Sequence, residues 1–546
     1  MNKFNSKQLL KWVLVLAFLL RVIALSNFPV GFTPDEASFA YDAYSILQTG
    51  KDQWGKSFPL VLESFGDYKS PLLSYLAIPF VWVLGLSKVA IRLPNALLGT
   101  AAVYVVYLLS KELFSRQKNI GLYSAVLLAI SPWHIMMSRG AFEANLTTFL
   151  LPLGIYLFCK GMRNIKYLNW SAFVFGLNLF SYHSAKLVTP LVVAFLIIIN
   201  WKRLKRLKKT WISVFIFSVF LLATAQTFML GAGKRAQDVS VMGGALLDAA
   251  ETRIELINQG MNPTLARLLH NKYQVASKRF IDNYVDYFSP RFLFIDGPAE
   301  ATYGMLPGSG VLYWFEAPLL IGAILYLIKK GYRQKNVLLI LFWVAVAPTP
   351  AALTMGRGFA GNRAVIMLPA FQILLAFGIT YLLKTYNIHN KIKTTFSLVG
   401  VLLFVVFIRN YFFLSPEQSG EAMLVGRLEV AEWLSENLED REIIVSRTLS
   451  EPQMYIAFAN KWDPVDFQKN IDNWDYEKQG VNWVDQMPEY SLGKYTFKNI
   501  AVKDYNSGVV LVGKFEEFLP DAKTLNTFLY PSGKEAVLVV DALNEK

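Results

Sequence analysis

The sequence predicts a mainly α-helical, polytopic membrane protein with about eleven transmembrane helices, followed by a small extracytoplasmic α/β domain. The 546-residue chain is 54% hydrophobic and only 17% charged, whereas roughly 25% of the residues of a typical soluble domain are charged. Segments such as 187–200 and 211–230 contain no charged residue, and a membrane-spanning helix needs about 20 mostly apolar residues. The basic residues lie in short clusters between the apolar segments, a pattern that is typical of multi-pass membrane proteins.

Eleven apolar segments account for the predicted spans. In chain order they lie at about 9–26, 93–111, 120–137, 146–160, 168–182, 187–201, 211–230, 311–328, 336–354, 364–383 and 395–414. They define a transmembrane region at 1–414, with large outer loops at 27–92 and 231–310. Helices are predicted in the second of these loops at 243–258 and 264–287.

The remaining segment, 415–546, is predicted to be a soluble domain. Loss of structure at 416–420 (Pro-Glu-Gln-Ser-Gly) marks its predicted start. The hydrophobic patterns predict one amphipathic helix at 421–438 and strands at 442–447, 508–513 and 536–541.

Lysine and arginine residues are distributed unequally between successive loops. One set of short loops carries three to six basic residues in each, whereas the alternate short loops carry one or two. Because basic loops remain in the cytoplasm, we expect a multi-pass protein of the cell membrane with a cytoplasmic N-terminus and an extracytoplasmic C-terminal domain. The apolar segment 71–86 is predicted to be a juxtamembrane helix, because a further crossing would turn five basic clusters outward. The loops explain the net charge of +14, so the expected partner is the lipid bilayer and not nucleic acid.

An acidic pair follows the first predicted span. Asp35 and Glu36 stand in the sequence Thr33-Pro34-Asp35-Glu36, and carboxylates at a membrane surface are costly to bury and useful as a general base. The same residues also form a good helix start, with Thr33 as the cap and acids in the first turn. Both interpretations can hold together, because a helix start fixes the direction of Asp35.

Further polar candidates lie in the outer loops. Tyr68 and Lys69 precede the juxtamembrane segment, and an ammonium there is a good ligand for phosphate, although a solvated turn would have the same composition. Arg139 and Glu143 lie four residues apart at a helix end, so they either pair with each other or line a site.

The last candidates are found in two later outer loops. His183 and Lys186 follow the fifth span, where a lone histidine is more often an interfacial hydrogen-bonding residue than a metal ligand. Asn362 and Arg363 end a glycine-rich loop, whose backbone allows close approach and whose arginine offers a phosphate ligand. All of these candidates fall on the same side of the membrane, which indicates one outer site for an anionic group.

The order of these motifs resembles the C-type membrane glycosyltransferases, in particular bacterial relatives of the protein O-mannosyltransferases and of the aminoarabinose transferase that acts on lipid A. The matching residues are Asp35-Glu36, Tyr68-Lys69-Ser70-Pro71 in a contracted form, Arg92-Leu93-Pro94, and Ser131-Pro132 followed by Arg139 and Glu143. The resemblance covers about residues 1–200 by motif, and 201–414 by topology and the Asn362-Arg363 loop. Glu143 departs from the family, which often has aspartate at this point.

The resemblance implies an enzyme that transfers a hexose or pentose from a polyprenyl-phosphate donor, undecaprenyl phosphate in a bacterium, to an acceptor hydroxyl. Asp35 would be the general base of an inverting attack, with Glu36 and Glu143 as further catalytic acids. The donor phosphate would be bound by Lys69, Arg139 and Arg363, and the site would be lined by Tyr68, His183, Lys186 and Asn362. No cofactor is expected, and a divalent metal is not predicted, because His183 is the one nitrogen ligand among the candidates.

Two other functions remain open at this stage. A transporter would place ionisable residues near the middle of the bilayer, whereas the predicted spans are almost free of charge. A non-catalytic assembly or binding protein for cell-envelope glycolipids would tolerate replacement of Asp35. The sequence does not indicate the sugar, the acceptor or the oligomeric state.

Overall fold

The protein is described from a computed structural model that covers residues 6–542, except 118, 230–239, 299, 332–333, 356–359, 387, 477 and 507. Helices account for most of the region before residue 415, and a sheet lies in the region after it. This agrees with the predicted mainly α-helical chain that ends in an α/β domain.

The helices of the first 414 residues follow the apolar segments of the sequence. They are α1 (Ser6–Val22), α2 (Pro34–Thr49), α3 (Leu72–Leu84), α4 (Lys88–Leu113), α5 (Ile120–Ile130), α6 (Pro132–Met137), α7 (Thr147–Gly161), α8 (Ile165–Leu179), α9 (His183–Leu204), α10 (Thr210–Thr227), α11 (Ala245–Asn258), α12 (Pro263–Leu269), α13 (Lys272–Asp286), α14 (Ala317–Tyr326), α15 (Lys335–Val346), α16 (Thr349–Ala352), α17 (Gly361–Ala364), α18 (Leu368–Thr385) and α19 (Asn390–Arg409).

Six helical segments of the described residues are long and apolar enough to cross a membrane. They are Lys88–Leu113, His183–Leu204, Thr210–Thr227, Lys335–Ala352, Gly361–Thr385 and Asn390–Ser419. The other predicted spans are helical but shorter or interrupted, so the number of eleven crossings stays a prediction.

Helix α3 forms at the segment that was predicted to lie along the membrane. Its 13 residues give a length of about 20 Å at 1.5 Å per residue, less than the roughly 30 Å of the hydrocarbon core. One side packs on α2 and α4, and Ser74 donates a hydrogen bond to the carbonyl of Phe39 at 2.9 Å. Trp82 and Val83 are 74% and 69% exposed. The helix therefore has the length and the exposed apolar end expected of a juxtamembrane element.

The C-terminal domain contains a mixed six-stranded sheet. After β1 (Leu62–Glu63) and β2 (Tyr68–Lys69) of the first outer loop, its strands are β3 (Ile443–Val445), β4 (Glu489–Leu492), β5 (Tyr495–Lys498), β6 (Val510–Gly513), β7 (Thr524–Leu529) and β8 (Glu535–Asp541). The order is β4-β5-β3-β6-β8-β7. The central strand β3 is parallel to β5 and β6, with Ile444 opposite Thr496 and Leu511. The helices are α20 (Ser415–Ser419), α21 (Arg427–Asn437), α22 (Pro452–Ala459) and α23 (Pro464–Ile471).

Two predictions about this domain were wrong. The segment 416–420 is not a break, because Ser415–Ser419 is helical and the Ser419 hydroxyl donates to the Ser415 carbonyl at 2.6 Å. The amphipathic helix starts at Arg427, after Gly426 with φ of 93°, and not at 421. A glycine in this left-handed conformation cannot continue a helix from the preceding turn.

The C-terminal domain packs directly on the first outer loop. Tyr455 donates to the carbonyl of Phe32 at 2.8 Å, and Tyr41 donates to the carbonyl of Trp462 at 2.9 Å. Gly66 has φ of 109°, and a Cβ there would lie 2.2 Å from the carbonyl oxygen of Asn482. One hydrophobic cluster runs through both regions. The division at residue 415 therefore does not separate two independent cores.

Candidate active site

Asp35 and Lys69 form the centre of the candidate site. Helix α2 begins with a capping box, in which the Thr33 hydroxyl accepts from the Glu36 N–H at 3.2 Å and the Glu36 carboxylate accepts from the Thr33 N–H at 3.2 Å. This start places Asp35 in the first turn. Lys69 lies on β2, and its Nζ is 2.5 Å from Asp35 Oδ1. The Lys69 side chain is 3% exposed and that of Asp35 is 44% exposed, so the pair presents its acidic member to solvent.

The buried end of Lys69 is held by a hydroxyl and by aromatic rings. Its Nζ donates to Ser64 Oγ at 3.2 Å and lies 5.3 Å and 4.7 Å from the ring centres of Phe39 and Phe65. Burial alone would lower the pKa of Lys69, but the nearby carboxylates, with Asp35 the strongest, raise it above its ordinary value. The ammonium group therefore stays charged at neutral pH.

Glu36 points away from this centre. Its carboxylate accepts from Arg92 Nε at 2.8 Å and from a second guanidinium nitrogen at 3.0 Å, and both side chains are 0% exposed. The N–H of Ala141 adds a further hydrogen bond at 2.9 Å. Arg92 also donates to the carbonyls of Pro29 and Gly31 at 2.9 and 2.8 Å. The Glu36–Arg92 pair thus ties the start of α2 to α4, and the geometry does not support the predicted catalytic role of Glu36.

Arg139 is likewise a buried structural cation. Its guanidinium donates to the carbonyls of Leu20 and Ile23 at 2.7 and 2.6 Å, and it lies 5.6 and 5.2 Å from the ring centres of Tyr411 and Phe412. The last carbonyls of a helix have no partner within the helix, and Arg139 satisfies those at the end of α1. Because its guanidinium is held by these carbonyls and rings, the geometry favours a structural role for Arg139 over the predicted binding of the donor phosphate.

Tyr303 is a buried tyrosine that the charge of Asp35 influences. Its phenol group lies within electrostatic reach of Asp35, Glu143, Glu300 and Tyr182. Burial, the largest cause, and these neighbours raise its pKa well above the ordinary value. The predicted residues Asp35 and Glu143 therefore both act electrostatically on one tyrosine that the sequence did not single out.

Asn362 and Arg363 lie near two of the groups that influence Tyr303, namely Glu300 and Tyr182. The Asn362 side-chain amide donates to the Tyr182 hydroxyl at 3.2 Å, and its backbone N–H donates to the Glu300 carboxylate at 3.3 Å. Burial raises the pKa of Glu300 to about 7, and the positive charge of Arg363 acts in the opposite direction. Arg363 is thus within reach of an acid at the site.

The remaining predicted site residues lie in two separate positions: His183 contacts Tyr68, whereas Lys186 contacts the end of α10. His183 Nε2 lies 3.1 Å from the Tyr68 carbonyl oxygen, so it supports the strand that carries Lys69. Lys186 contacts the Thr227 hydroxyl at 3.5 Å, at the end of α10. Arg357, which belongs to the same glycine-rich loop as Arg363, falls in the segment 356–359, outside the described residues.

Three side chains of the site were missed by the sequence interpretation: Glu300, Tyr303 and Glu451. Glu451 comes from the C-terminal domain and acts electrostatically on Lys69. None of the three stands in a motif, and only the fold brings them to Asp35. Within the described part of the chain, no group of three or more His, Cys, Asp or Glu residues is arranged to hold a metal ion.

Comparison with known proteins gives a family match over part of the chain. Residues 68–227 match the family model for dolichyl-phosphate-mannose-protein mannosyltransferases. This segment begins at Tyr68 and includes Lys69, Arg139 and Glu143. No curated protein sequence matches the chain significantly.

Solved structures match the fold over nearly the whole chain. ArnT from Cupriavidus metallidurans, in a crystal structure with bound undecaprenyl phosphate, is 12% identical with a TM-score of 0.54, and the match covers 98% of each chain. The apo oligosaccharyltransferase of Archaeoglobus fulgidus is 14% identical with a TM-score of 0.51, over 94% of this chain and 70% of that one. The matched segment and the shared fold confirm the predicted resemblance to the C-type membrane glycosyltransferases.

Proposed function

We propose that the protein transfers a sugar from a polyprenyl-phosphate donor to an acceptor hydroxyl, with inversion at the anomeric carbon and Asp35 as the general base. The observation that carries this proposal is the Asp35–Lys69 pair, in which a buried cation holds a carboxylate that is 44% exposed. A general base must be reachable by the group that it deprotonates. Asp35 meets this condition, whereas Glu36 is enclosed.

The proposed reaction is a single displacement. The acceptor oxygen forms a bond to the anomeric carbon while its proton moves to the Asp35 carboxylate. The bond from the anomeric carbon to the phosphate oxygen breaks, and its electron pair stays on that oxygen. The products are the glycosylated acceptor and polyprenyl phosphate, and attack from the face opposite the phosphate inverts the anomeric centre.

Positive charge near the leaving oxygen favours this displacement, because negative charge develops there in the transition state. Lys69 has three N–H groups, of which two are directed to Asp35 and Ser64. We propose that Lys69 binds the donor phosphate. We propose the same role for Arg363, whose charge acts on Glu300. Glu143 is assigned to the site wall near Tyr303, and Arg139 to support of the fold.

The lipid donor is supported by the surroundings of the site. The pair lies next to α3, whose apolar face is partly exposed, so a prenyl tail can lie along the helix while its phosphate meets Lys69. The similar ArnT structure contains undecaprenyl phosphate. We infer the same class of carrier here, and reactions without a metal cofactor.

A donor panel tests this proposal. The purified protein in detergent or nanodiscs is incubated with undecaprenyl-phosphate hexoses and pentoses, and the release of undecaprenyl phosphate is measured. We expect release with at least one sugar and equal rates with and without EDTA. No release with any donor would contradict the proposal, and activity that EDTA abolishes and a divalent ion restores would contradict the metal-free reaction.

The orientation is tested separately. The charge pattern of the loops predicts that the site and the C-terminal domain face outward. A C-terminal alkaline phosphatase fusion is expected to be active and a C-terminal green fluorescent protein fusion dark. Bright fluorescence would place the site on the cytoplasmic face.

A further inference from the structure

Three helices of the second outer loop expose large apolar side chains and bury small ones. The described side chains that α11, α12 and α13 bury are mainly alanines: Ala245, Ala249, Ala266 and Ala276. Leucine and isoleucine side chains of the same helices are between 46% and 68% exposed, among them Leu246, Leu247, Ile254, Leu265, Leu268 and Ile281. A helix on the surface of a water-soluble domain turns its large apolar residues toward the core, so water alone does not suit the exposed side of these helices.

The exposed apolar residues form a stripe along each of the two long helices, next to a charged stripe. On α11 the side chains of Leu246 and Ile254 lie about 80° apart around the helix axis, and the exposed Glu255 lies about 100° beyond Ile254. On α13 Ile281 and the exposed Asp282 are also separated by about 100°. Each helix therefore has an alanine side, an apolar stripe and a charged stripe.

Helices α11 and α13 run in opposite directions and pack through their alanine sides. The N–H of Val241, just before α11, donates to the carbonyl of Leu353 at 3.0 Å. Asn283, near the end of α13, donates to the carbonyl of the adjacent Thr354 at 3.2 Å, so one helix starts where the other ends. The residues buried between them form a small cluster: Val241, Ala245 and Ala276. In such an antiparallel pair the two apolar stripes fall on the same side.

Two contacts distinguish the two sides of this helix pair. Asp248 and Arg279 form an ion pair between the helices, and both residues lie toward the charged side. Tyr284 lies about 60° from Ile281 around α13, within the sector of the apolar stripe. Its hydroxyl donates to the carbonyl of Ala345 at 2.7 Å. The apolar stripes therefore face the same way as this tyrosine side chain.

The carbonyl that the tyrosine contacts belongs to a helical segment long enough to cross a membrane. Ala345 lies within the apolar segment Lys335–Ala352, about 10 Å before its end at 1.5 Å per residue. This end is on the side of the candidate site, because the Tyr287 hydroxyl, just beyond α13, donates to the carbonyl of Ala360, near Asn362, at 3.4 Å. The apolar stripes thus face the hydrocarbon core at the level of its boundary with the headgroups.

We propose that α11, α12 and α13 lie in the headgroup region of the bilayer on the side of the site, with their apolar stripes inserted between the acyl chains and their charged stripes in water. The partner is the lipid surface that surrounds the membrane-spanning helices. Interfacial helices of this kind reach about 5–10 Å into the boundary. Residues 245–286 contain five basic and five acidic residues, so insertion depends on apolar contact and not on anionic headgroups. The inference rests on the membrane embedding of the chain and not on the proposed reaction.

Spin labels in the full-length protein, reconstituted in nanodiscs, test this depth. In a background with Cys159→Ala, which removes the one cysteine of the sequence, Ile254→Cys and Ile281→Cys place a nitroxide on the apolar stripes. Glu255→Cys and Asp282→Cys are matched controls on the adjoining charged stripes. Oxygen is concentrated in the bilayer and a nickel chelate stays in water, so the ratio of their collision rates with the label reports its depth. We expect a several-fold higher ratio at the two stripe positions than at their controls, in zwitterionic and anionic lipid alike.

Three results would overturn the inference. Nickel collision rates as high at Ile254 and Ile281 as at the controls would show that the stripes face water. Weak collisions with both reagents would show that protein covers the stripes, and dipolar coupling between the labels of two chains would identify a second copy as that protein. A high oxygen ratio in anionic lipid alone would show recognition of headgroup charge instead of apolar insertion.

Hydrogen exchange in nanodiscs provides a measurement that needs no label. Ile254→Asp with Ile281→Asp puts charge into the apolar stripes, and we expect the amide exchange of residues 245–286 to become at least about tenfold faster. Glu255→Gln with Asp282→Asn is the matched control and should leave this exchange unchanged. Protection of the membrane-spanning helices in both variants shows that the protein is folded. Unchanged exchange of residues 245–286 in the first variant, with those helices still protected, would contradict insertion of the stripes.

Discussion

Glu36 and Arg92 form a bidentate ion pair in which both side chains are 0% exposed, whereas the side chain of the adjacent Asp35 is 44% exposed. Successive residues of a helix point about 100° apart, so one acid of the pair faces the core and the other faces the site. The two acids of one motif therefore have different tasks. Glu36 fixes the helix that aims Asp35.

The first prediction concerns this buried pair. Glu36→Gln leaves the Arg92 cation buried without a counter-charge, which typically costs about 3–5 kcal/mol. We expect a lower unfolding temperature in detergent and a lower yield of folded protein. Thermal unfolding followed by intrinsic fluorescence measures the change.

A double variant tests whether the cost arises from the pair itself. Glu36→Gln with Arg92→Met removes both charges, so we expect it to destabilise by less than the sum of the two single variants. Strictly additive effects would show that the two residues stabilise the protein independently. A fully stable but inactive Glu36→Gln protein would return Glu36 to the catalytic role predicted from the sequence.

The second prediction concerns Asp35. Asp35→Asn keeps the size of the side chain and removes the base, and general-base catalysis contributes about 10²- to 10⁴-fold to a rate. We expect a folded protein that binds the donor and transfers sugar at least about a hundredfold more slowly. Initial rates at saturating donor measure this loss. Asp440→Asn, at an exposed aspartate of the C-terminal domain, should leave the rate unchanged, and near-normal transfer by Asp35→Asn would remove its assignment as base.

The third prediction compares two cations. Lys69→Met removes the charge proposed to meet the donor phosphate, and a hydrogen bond to a charged group contributes about 1.5–3 kcal/mol, so donor affinity should fall roughly 10- to 150-fold. Arg139→Met removes a cation that caps α1, so it should lower the unfolding temperature and leave the donor affinity of the folded fraction unchanged. Binding of a fluorescent polyprenyl phosphate measures both. The reverse pattern would restore Arg139 as the phosphate ligand.

Lys69 and Arg139 show which parts of the site can be predicted from the sequence and which cannot. Apolar segments predicted the helices well, because hydrophobicity alone decides which segments can enter a bilayer. A cation in an outer loop looks the same in the sequence whether it binds a ligand or caps a helix, so Arg139 and Lys69 were both predicted as phosphate ligands. The structure gives them different surroundings, and the ion pair between Lys69 and Asp35 was not predicted. Glu451 was not predictable, because it is distant in sequence and reaches the site only when the C-terminal domain packs on the first outer loop.

The last prediction concerns a second acidic pair in that loop, Asp42 and Asp52, which are 1% and 0% exposed. Asp52 Oδ1 accepts from the N–H groups of Trp54 at 3.0 Å and Lys56 at 2.8 Å, while its Oδ2 is buried without a partner among the described residues. Burial raises the pKa of Asp52 from 3.8 to about 6, although these hydrogen bonds oppose the shift. Burial, followed by the charge of Asp52, raises the pKa of Asp42 as well.

A carboxyl whose pKa is higher in the folded than in the unfolded protein binds its proton more tightly when folded. Its contribution to stability is therefore complete below the unfolded pKa and is lost as pH rises through the folded value. For Asp52 this window runs from about pH 4 to pH 6–7, and at 1.36 kcal/mol per pKa unit the loss of stability is at most about 3 kcal/mol.

Asp52→Asn keeps the acceptor oxygen and cannot ionise. We expect its unfolding temperature, measured by differential scanning fluorimetry, to match the wild type near pH 4 and to exceed it increasingly up to pH 7; a difference that is constant with pH, or largest at pH 4, would show that Asp52 does not titrate in this range.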